Sequence, residues 1–155
     1  MAFNRRSMFG TLALTCDRLN IERNDIIIDG GGASLYYGLR EKTNDIDVSL
    51  DSVIFDRIVK EHNLTSQILP MLGTHPSIEL VVYGGVDFHR VENLIDVDRK
   101  SHRGFGVQTK LDLLRFRISL GRNKDLEDIR QLENLWVSVN PLERKRIEYL
   151  LELVS

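Results

Sequence analysis

Two aspartates in alternation are the residues of this chain whose spacing best suits chemistry. Asp45 and Asp47 flank Ile46, so both carboxylates would project to the same side of a strand. Such a pair repels unless a cation neutralises it, and Mg²⁺ prefers oxygen ligands from one or two carboxylates, substrate phosphates and water. The pair therefore predicts a divalent metal site, and a chance Asp-x-Asp sequence in a loop is the alternative without function.

A metal site for phosphoryl or nucleotidyl transfer normally needs a third carboxylate. Two ions about 4 Å apart can then hold the attacking and leaving oxygens of the reaction. Asp87 is the first choice, because its predicted strand can lie beside that of Asp47, and Glu79 is the weaker alternative.

Three consecutive glycines precede the aspartate pair. Gly30, Gly31 and Gly32 follow an apolar run at 26–28 and lead into a helical segment. A helix N-terminus offers N–H groups without helical partners and a partial positive charge, which suits phosphate oxygens. A tight strand-to-helix connection without a ligand is the alternative, but the coincidence with Asp45 and Asp47 favours a nucleotide site.

The elements that must position these residues follow from the spacing of apolar side chains. Together they predict an α/β (α+β) fold, in which a small mixed β-sheet is backed by helices and followed by C-terminal helices. The predicted strands cover 25–29, 45–50 and a hairpin of 78–83 and 86–91 around Gly84 and Gly85. The predicted helices cover 7–19 with Ser7 as N-cap, 32–41, 52–62 with Asp51 or Ser52 as cap, 109–120 ending at Gly121, 125–136, and a last one beginning at 140–143.

Composition limits the remaining possibilities. A length of 155 residues with 42% apolar residues predicts a single domain, with a core at about 20–105 and a helical part at about 106–155. The net charge of -2 gives no general attraction to polyanions, so any nucleic-acid contact must be local. Cys16 is the only cysteine, which excludes an internal disulfide. No run approaches the roughly 20 apolar residues of a membrane span, so we expect a soluble, cytoplasmic protein without a membrane partner.

The glycines and the aspartates also carry a family resemblance. The stretch 30–47 resembles the core motif of the DNA polymerase β-like nucleotidyltransferase superfamily, and is most similar to its AbiEii/MenT toxin-type branch. Downstream, Lys110 and Arg117 followed by the run 124–129 resemble a second motif of that branch, in the same order. The resemblance covers about residues 26–132 and implies the nucleotidyltransferase fold.

Roles follow from the resemblance residue by residue. It implies a metal set of Asp45, Asp47 and Asp87, with Lys110 reaching the triphosphate and completing the catalytic group. It also implies nucleotide contacts from Gly30, Gly31, Gly32, Ser34, Lys110, Arg117, Asp125 and Asp128. Many relatives carry Ser or Thr where this chain has Gly32. The alternatives are that Lys110 and Arg117 are solvated residues on an apolar helix, and that the last two aspartates stabilise a helix dipole.

The implied reaction is metal-dependent transfer of a nucleoside monophosphate from a nucleoside triphosphate, such as ATP, to a hydroxyl acceptor with release of pyrophosphate. The cofactor would be Mg²⁺ or Mn²⁺, and the acceptor RNA, a protein or a small molecule. A toxin–antitoxin-like role would add a protein partner. The rival interpretation is an inactive nucleotidyltransferase-like module that binds nucleotide or protein.

Two further groups of residues, the histidines and a basic run, are predicted to have no role in the site. The four histidines, His62, His75, His89 and His102, do not show metal-ligand spacing, and each is predicted to be an ordinary surface or core residue. The basic run 99–103 is predicted to be a solvated loop, with a phosphate contact as the alternative.

Overall fold

The protein is described by a computed structural model that covers residues 2–70, 77–120, 123–135 and 145. The chain divides into two compact units, Met1–Gln108 and Thr109–Ser155. The first unit contains all seven described strands: β1 Ile26–Asp29, β2 Ile46–Asp51, β3 Gln67–Leu69, β4 Ile78–Tyr83, β5 Val86–Val91, β6 Lys100–His102 and β7 Phe105–Val107. Two short 3-10 helices lie directly before β1 and between β5 and β6, at Arg23–Asp25 and Leu94–Asp96.

The strands form one mixed sheet in the order β3-β4-β5-β2-β1-β7-β6. β2 pairs antiparallel with β1 and parallel with β5, and β1 pairs parallel with β7. The predicted α/β class with a mixed sheet is therefore confirmed. The predicted hairpin is also confirmed, with positive φ at both Gly84 and Gly85, whereas β3, β6 and β7 were not predicted.

Strands β2 and β5 alternate between a fully buried face and a partly open face. On β2, Ile46, Val48 and Leu50 are buried, whereas Asp47 and Ser49 are half-buried. Because neighbouring strands are in register, the same alternation holds on β5, where Phe88 is buried between two half-buried polar residues. We call the half-buried side the polar face of the sheet; its members on the central strands are Asp29, Asp47, Ser49, Asp87 and His89.

Helices of the first unit pack on the buried face, with boundaries that correct the predicted ones. α1 covers Arg5–Leu19 with Asn4 as the N-cap, so the prediction of Ser7 as the cap is wrong. Ser7 lies at the third helical position and completes a capping box, in which its amide donates to Asn4 Oδ1 at 2.8 Å. α2 covers Gly30–Tyr36 and therefore begins and ends earlier than predicted. α3 covers Ser52–Glu61, and the amide of Val53 donates to the cap Asp51 at 3.0 Å.

The second unit contains helices α4, Lys110–Leu120, and α5, Asn123–Leu135. Both lie close to the predicted ranges. The predicted helix end at Gly121, the inward position of Trp136 and the last helix beginning at 140–143 lie outside the described residues. In the described part of the chain, no helix has the length and apolar character to cross a membrane.

Candidate active site

Strand register brings carboxylates of three neighbouring strands together on the polar face. Asp47 on β2 is paired with Asp87 on the parallel strand β5, and with Asp29 on the antiparallel strand β1. Directly paired residues of adjacent strands have Cβ atoms about 5 Å apart. The expected proximity of Asp47 and Asp87 is therefore present, and Asp29 joins them. Glu79, the weaker alternative, alternates with Leu80 on β4 and so lies on the opposite face.

Asp45 lies just before β2 and is exposed, so it is close to this group without belonging to the strand. The buried residue Thr43 holds that loop, because its hydroxyl donates to the carbonyl of Asp45 at 3.0 Å. Thr43 also forms an isolated bridge with Phe3, with backbone hydrogen bonds of 2.7 and 2.9 Å. The position of Asp45 is thus set by a segment that precedes α1.

The glycine turn is built around Asp47. Gly30 has a φ of +51°, a left-handed conformation that favours glycine, and a Cβ atom there would lie 3.2 Å from Asp47 Oδ2. The backbone N–H of Gly31 donates to the Asp47 carboxylate. A Cβ atom at Gly31 would lie only 2.8 Å from Thr43 Oγ1. The turn therefore contacts the predicted metal ligand directly.

Gly32 is required by packing. A Cβ atom at this position would lie 2.8 Å from Ile28 Cγ2 and 3.2 Å from Met8 Sδ. The chain therefore has no room here for the serine or threonine that the family resemblance would place at this position. Ser34, which is two positions further along α2, is fully buried. Both residues face the interior of the first unit.

Gln108 supports the turn from the end of β7, and sequence reasoning missed it. Its side-chain Oε1 accepts a hydrogen bond from the amide of Gly30 at 3.1 Å, and its carbonyl accepts one from the Tyr37 hydroxyl at 2.6 Å. Its own amide donates to the carbonyl of Ile28 at 2.8 Å. One residue thus ties the end of β1 to both ends of α2. No local sequence pattern predicts this role, because it depends on the pairing of β1 with β7, a strand that is distant in sequence.

The carboxylates are electrostatically strained. The pKa of Asp47 is raised to about 6, first by burial and then by the neighbouring carboxylates of Asp29 and Asp45. His89 and the Gly31 amide act in the opposite direction. Burial also raises the pKa of Asp87, with further contributions from Asp47 and Asp45. These repelling negative charges are what a bound cation would neutralise.

Two more polar residues of this group were not predicted as site residues. His89 Nε2 lies 3.7 Å from Asp47 Oδ1, which places this histidine beside the predicted metal ligand. Ser49 Oγ donates to Asp29 Oδ2 at 2.5 Å. Strand alternation could have found both contacts, because His89 follows Asp87 by two residues and Ser49 follows Asp47 by two.

The donor set suits a divalent metal that arrives with substrate. Within the described ranges, no three histidine, cysteine, aspartate or glutamate side chains form a group that could hold a metal by themselves. Mg²⁺ usually needs only one or two carboxylates, because substrate phosphates and water complete its shell. Asp45, Asp47 and Asp87 are oxygen donors whose mutual repulsion favours such an ion, so these residues fit the implied cofactor.

The predicted residues of the second motif lie in the second unit. Arg117 on α4 forms ion pairs with two aspartates of α5, at 3.2 Å to Asp125 and 3.5 Å to Asp128. All three side chains are at least 95% buried. This network ties α4 to α5 and gives Arg117 a structural partner set. Lys110 is the first residue of α4.

No family model and no curated protein matches the sequence. Solved structures do resemble the fold, and those described here are nucleotidyltransferases. The solution structure of the antibiotic-resistance factor ANT(2'')-Ia matches 94% of this chain and 88% of its own, with a TM-score of 0.54 and 14% identity. The crystal structure of ANT(2'')-Ia in complex with adenylyl-2''-tobramycin matches 95% and 94%, with a TM-score of 0.53 and 12% identity.

The Megavirus polyadenylate synthase is a larger neighbour. Its crystal structure matches 84% of this chain but only 34% of its own, with a TM-score of 0.50 and 11% identity. At these identities the comparisons show a shared fold, and the chain has the fold of these nucleotidyltransferases.

Proposed function

We propose that the protein is a metal-dependent nucleotidyltransferase, which moves a nucleoside monophosphate from a nucleoside triphosphate to a hydroxyl acceptor and releases pyrophosphate. The observation that carries the proposal is the pairing of Asp47 with Asp87 on adjacent strands, beside a glycine turn whose amide holds Asp47. The shared fold supports it, because its neighbours are nucleotidyltransferases.

Asp45, Asp47 and Asp87 would hold Mg²⁺ or Mn²⁺ together with the triphosphate. The metal, when bound, would neutralise negative charge on the transferred phosphoryl group and the departing pyrophosphate. The raised pKa values of Asp47 and Asp87 support this role, because the cost of keeping several carboxylates ionised in one place falls when a cation joins them.

Asp87 would accept the proton of the acceptor. In the proposed step the acceptor oxygen forms a bond to the α-phosphorus, the bond from that phosphorus to pyrophosphate breaks, and the hydroxyl proton passes to the Asp87 carboxylate. A carboxylate with a raised pKa is the better base at neutral pH. His89 lies close to Asp47 on the same face and would help to orient the Asp47 carboxylate.

The glycine turn would position the nucleotide indirectly, because it holds the metal-binding carboxylate of Asp47. The amides of Gly30 and Gly31 already donate to Gln108 and Asp47, respectively. We therefore propose that they position the metal-binding carboxylate, and that triphosphate oxygens lie against the surface of the turn. Gly32 and Ser34, which are buried, would support the turn by packing. Lys110 would contact the triphosphate as a point charge, and the buried ion pairs of Arg117 favour a structural role for it and for Asp125 and Asp128.

ATP is the first nucleotide to test. One neighbour is named for a complex with an adenylyl product and another for polyadenylate synthesis. The relationship to the AbiEii/MenT toxin-type branch, with its protein partner, rests on the sequence motifs and belongs to the same proposal.

Label transfer tests the function. The protein is incubated with Mg²⁺, each radiolabelled nucleoside triphosphate, and separate pools of RNA, protein and small-molecule acceptors. We expect transfer from one nucleotide, and its loss in Asp47→Asn and Asp87→Asn. Asp17→Asn, at an exposed position on α1, is the matched control and should retain activity. Transfer that persists in both site variants would refute the assignment.

One observation favours a second candidate, a module that binds nucleotide without catalysis. Gly32 leaves the turn without the hydroxyl group that the resemblance would place there, and packing leaves no room for one. Calorimetry with ATP and Mg²⁺ distinguishes the candidates: nucleotide binding with no transfer to any acceptor supports the module, and absence of both contradicts each of them.

A further inference from the structure

A cluster of cationic side chains surrounds Tyr36, away from the carboxylates. The guanidinium carbon of Arg5 lies 4.7 Å from the centroid of the Tyr36 ring, and the Lys100 ammonium nitrogen lies 5.2 Å from it. The imidazole of His102 packs on the same ring at 5.1 Å between centroids, and Arg103 follows in the chain. We call Arg5, Lys100, His102 and Arg103 the basic cluster.

The three charged members of the basic cluster have no carboxylate partner in the part of the first unit that the structure describes. Among the residues that the structure describes, Arg5, Lys100 and Arg103 form no ion pair with a carboxylate, although all three are exposed. Burial lowers the pKa of His102, and the positive charges of Arg5, Arg103 and Lys100 lower it further. The local potential is therefore positive, although the whole chain has a net charge of -2.

Keeping these like charges together has a cost that an anion would remove. Cation–π contacts with Tyr36 offset part of it, at about 0.5–1 kcal/mol for each exposed contact. A polyanion that binds across the cluster would neutralise the charges and release its own counterions, which is the main source of affinity in nucleic-acid binding.

Helix α2 connects the cluster to the candidate active site. It begins at Gly30, beside Asp47, and ends at Tyr36, beside Arg5 and Lys100. Seven residues of α-helix span about 9–10 Å along the axis. A few nucleotides of an extended strand would span this distance.

We propose that the basic cluster binds the phosphate backbone of single-stranded RNA, which presents a hydroxyl group to the carboxylate site as the acceptor. Binding of RNA to the cluster is independent of the proposed function, whereas the role of that RNA as the acceptor rests on the function proposed above. Repeating phosphates suit this geometry, because one part of the strand can lie on the cluster while another reaches the site. The basic run 99–103 then contacts phosphate, which is the alternative to the predicted solvated loop.

Fluorescence anisotropy with a short labelled single-stranded RNA tests the binding part. Each neutralised phosphate contributes about 0.7 to the slope of log affinity against log salt for single strands. Loss of three contacts in the combined variant Arg5→Gln, Lys100→Gln, Arg103→Gln should therefore reduce the slope by about 2. Counted from a 1 M reference, this difference in slope corresponds to about 100-fold weaker binding at 0.1 M salt. Lys100→Gln alone should reduce the slope by about 0.7 and guards against misfolding of the combined variant.

The matched control removes the same number of exposed positive charges elsewhere, in the combined variant Arg18→Gln, Lys60→Gln, Arg130→Gln. Its slope should stay close to that of the wild type. Equal losses in both variants, or no RNA binding by the wild-type protein, would overturn the proposal. Transfer of label to another acceptor but never to bound RNA would overturn the acceptor part. Cluster-dependent RNA binding with no transfer to any acceptor would support the surface and count against the proposed function.

Discussion

Replacing Asp47 with asparagine should stabilise the protein while it removes activity. The ionised carboxylate of Asp47 is held near Asp29 and Asp45, and its side chain is only 27% exposed. Its pKa is about 6 instead of 3.8. At 1.36 kcal/mol per pH unit, ionised Asp47 lowers the free energy of unfolding by up to about 3 kcal/mol at neutral pH. Asparagine keeps the shape and an acceptor oxygen for the Gly31 amide, but carries no charge.

The sign of this effect depends on pH in a defined way. Below pH 3.8 the carboxyl is protonated in both the folded and the unfolded state, so Asp47 imposes no penalty. Between 3.8 and about 6 the folded state binds more protons, so this contribution to stability falls as pH rises. Above pH 6 the penalty is complete. The advantage of Asp47→Asn should therefore be largest at pH 7 and vanish near pH 3.5.

Thermal unfolding of the metal-free protein measures this difference. About 3 kcal/mol corresponds to a rise in Tm of roughly 6–12 °C for a chain of this size. Asp17→Asn controls for the change in net charge, because Asp17 is exposed on α1 and should change Tm by little. A lower Tm for Asp47→Asn at pH 7, or an advantage that persists undiminished in acid, would refute the electrostatic account of the site.

Three further substitutions test the supports of the site and of the second unit. Gly32→Ala should destabilise the fold by about 1–3 kcal/mol in urea unfolding, because the new methyl group would lie 2.8 Å from Ile28 Cγ2; unchanged stability would contradict this packing. Gln108→Ala should leave the Gly30 amide without its partner and lower the free energy of unfolding by about 1 kcal/mol. Hydrogen exchange at Gly30 should be faster in this variant than in Gln108→Glu, and equal exchange in both would argue against the contact. Arg117→Met should cost about 3–5 kcal/mol, because two buried aspartates lose their cation; a near-neutral effect on unfolding would instead favour a functional role.

Elements with a strong local pattern were well predicted from the sequence. The hairpin of β4 and β5 has the predicted boundaries, because two consecutive glycines accept the positive φ of a tight turn between two apolar runs. The ends of α1 and α2 were less well predicted. Asn4 caps α1 and Ser7 completes the capping box from inside the helix, whereas α2 ends at Tyr36 because Gly38 follows with a φ of +76°.

The three unpredicted strands have a different cause. β3, β6 and β7 are three residues each, which is too short for an alternation pattern to appear. β7 pairs antiparallel with β6 and parallel with β1, and it is separated from β1 by most of the first unit. Its consequence for the site, the support that Gln108 gives to the glycine turn, was equally invisible.

The sequence by itself determined the nearest-neighbour part of the site: a glycine turn after a buried strand, and a strand that places Asp47 and Ser49 on one face. These features depend on backbone conformation and on side-chain alternation, which are local properties. Only the tertiary structure decided which distant residues meet there. The register of β1, β2 and β5 brings Asp29, Asp87 and His89 to Asp47, and it raises the pKa of the central carboxylate through burial and repulsion. Register between strands is set by the packing of the whole buried face, and no segment of the chain contains that information alone.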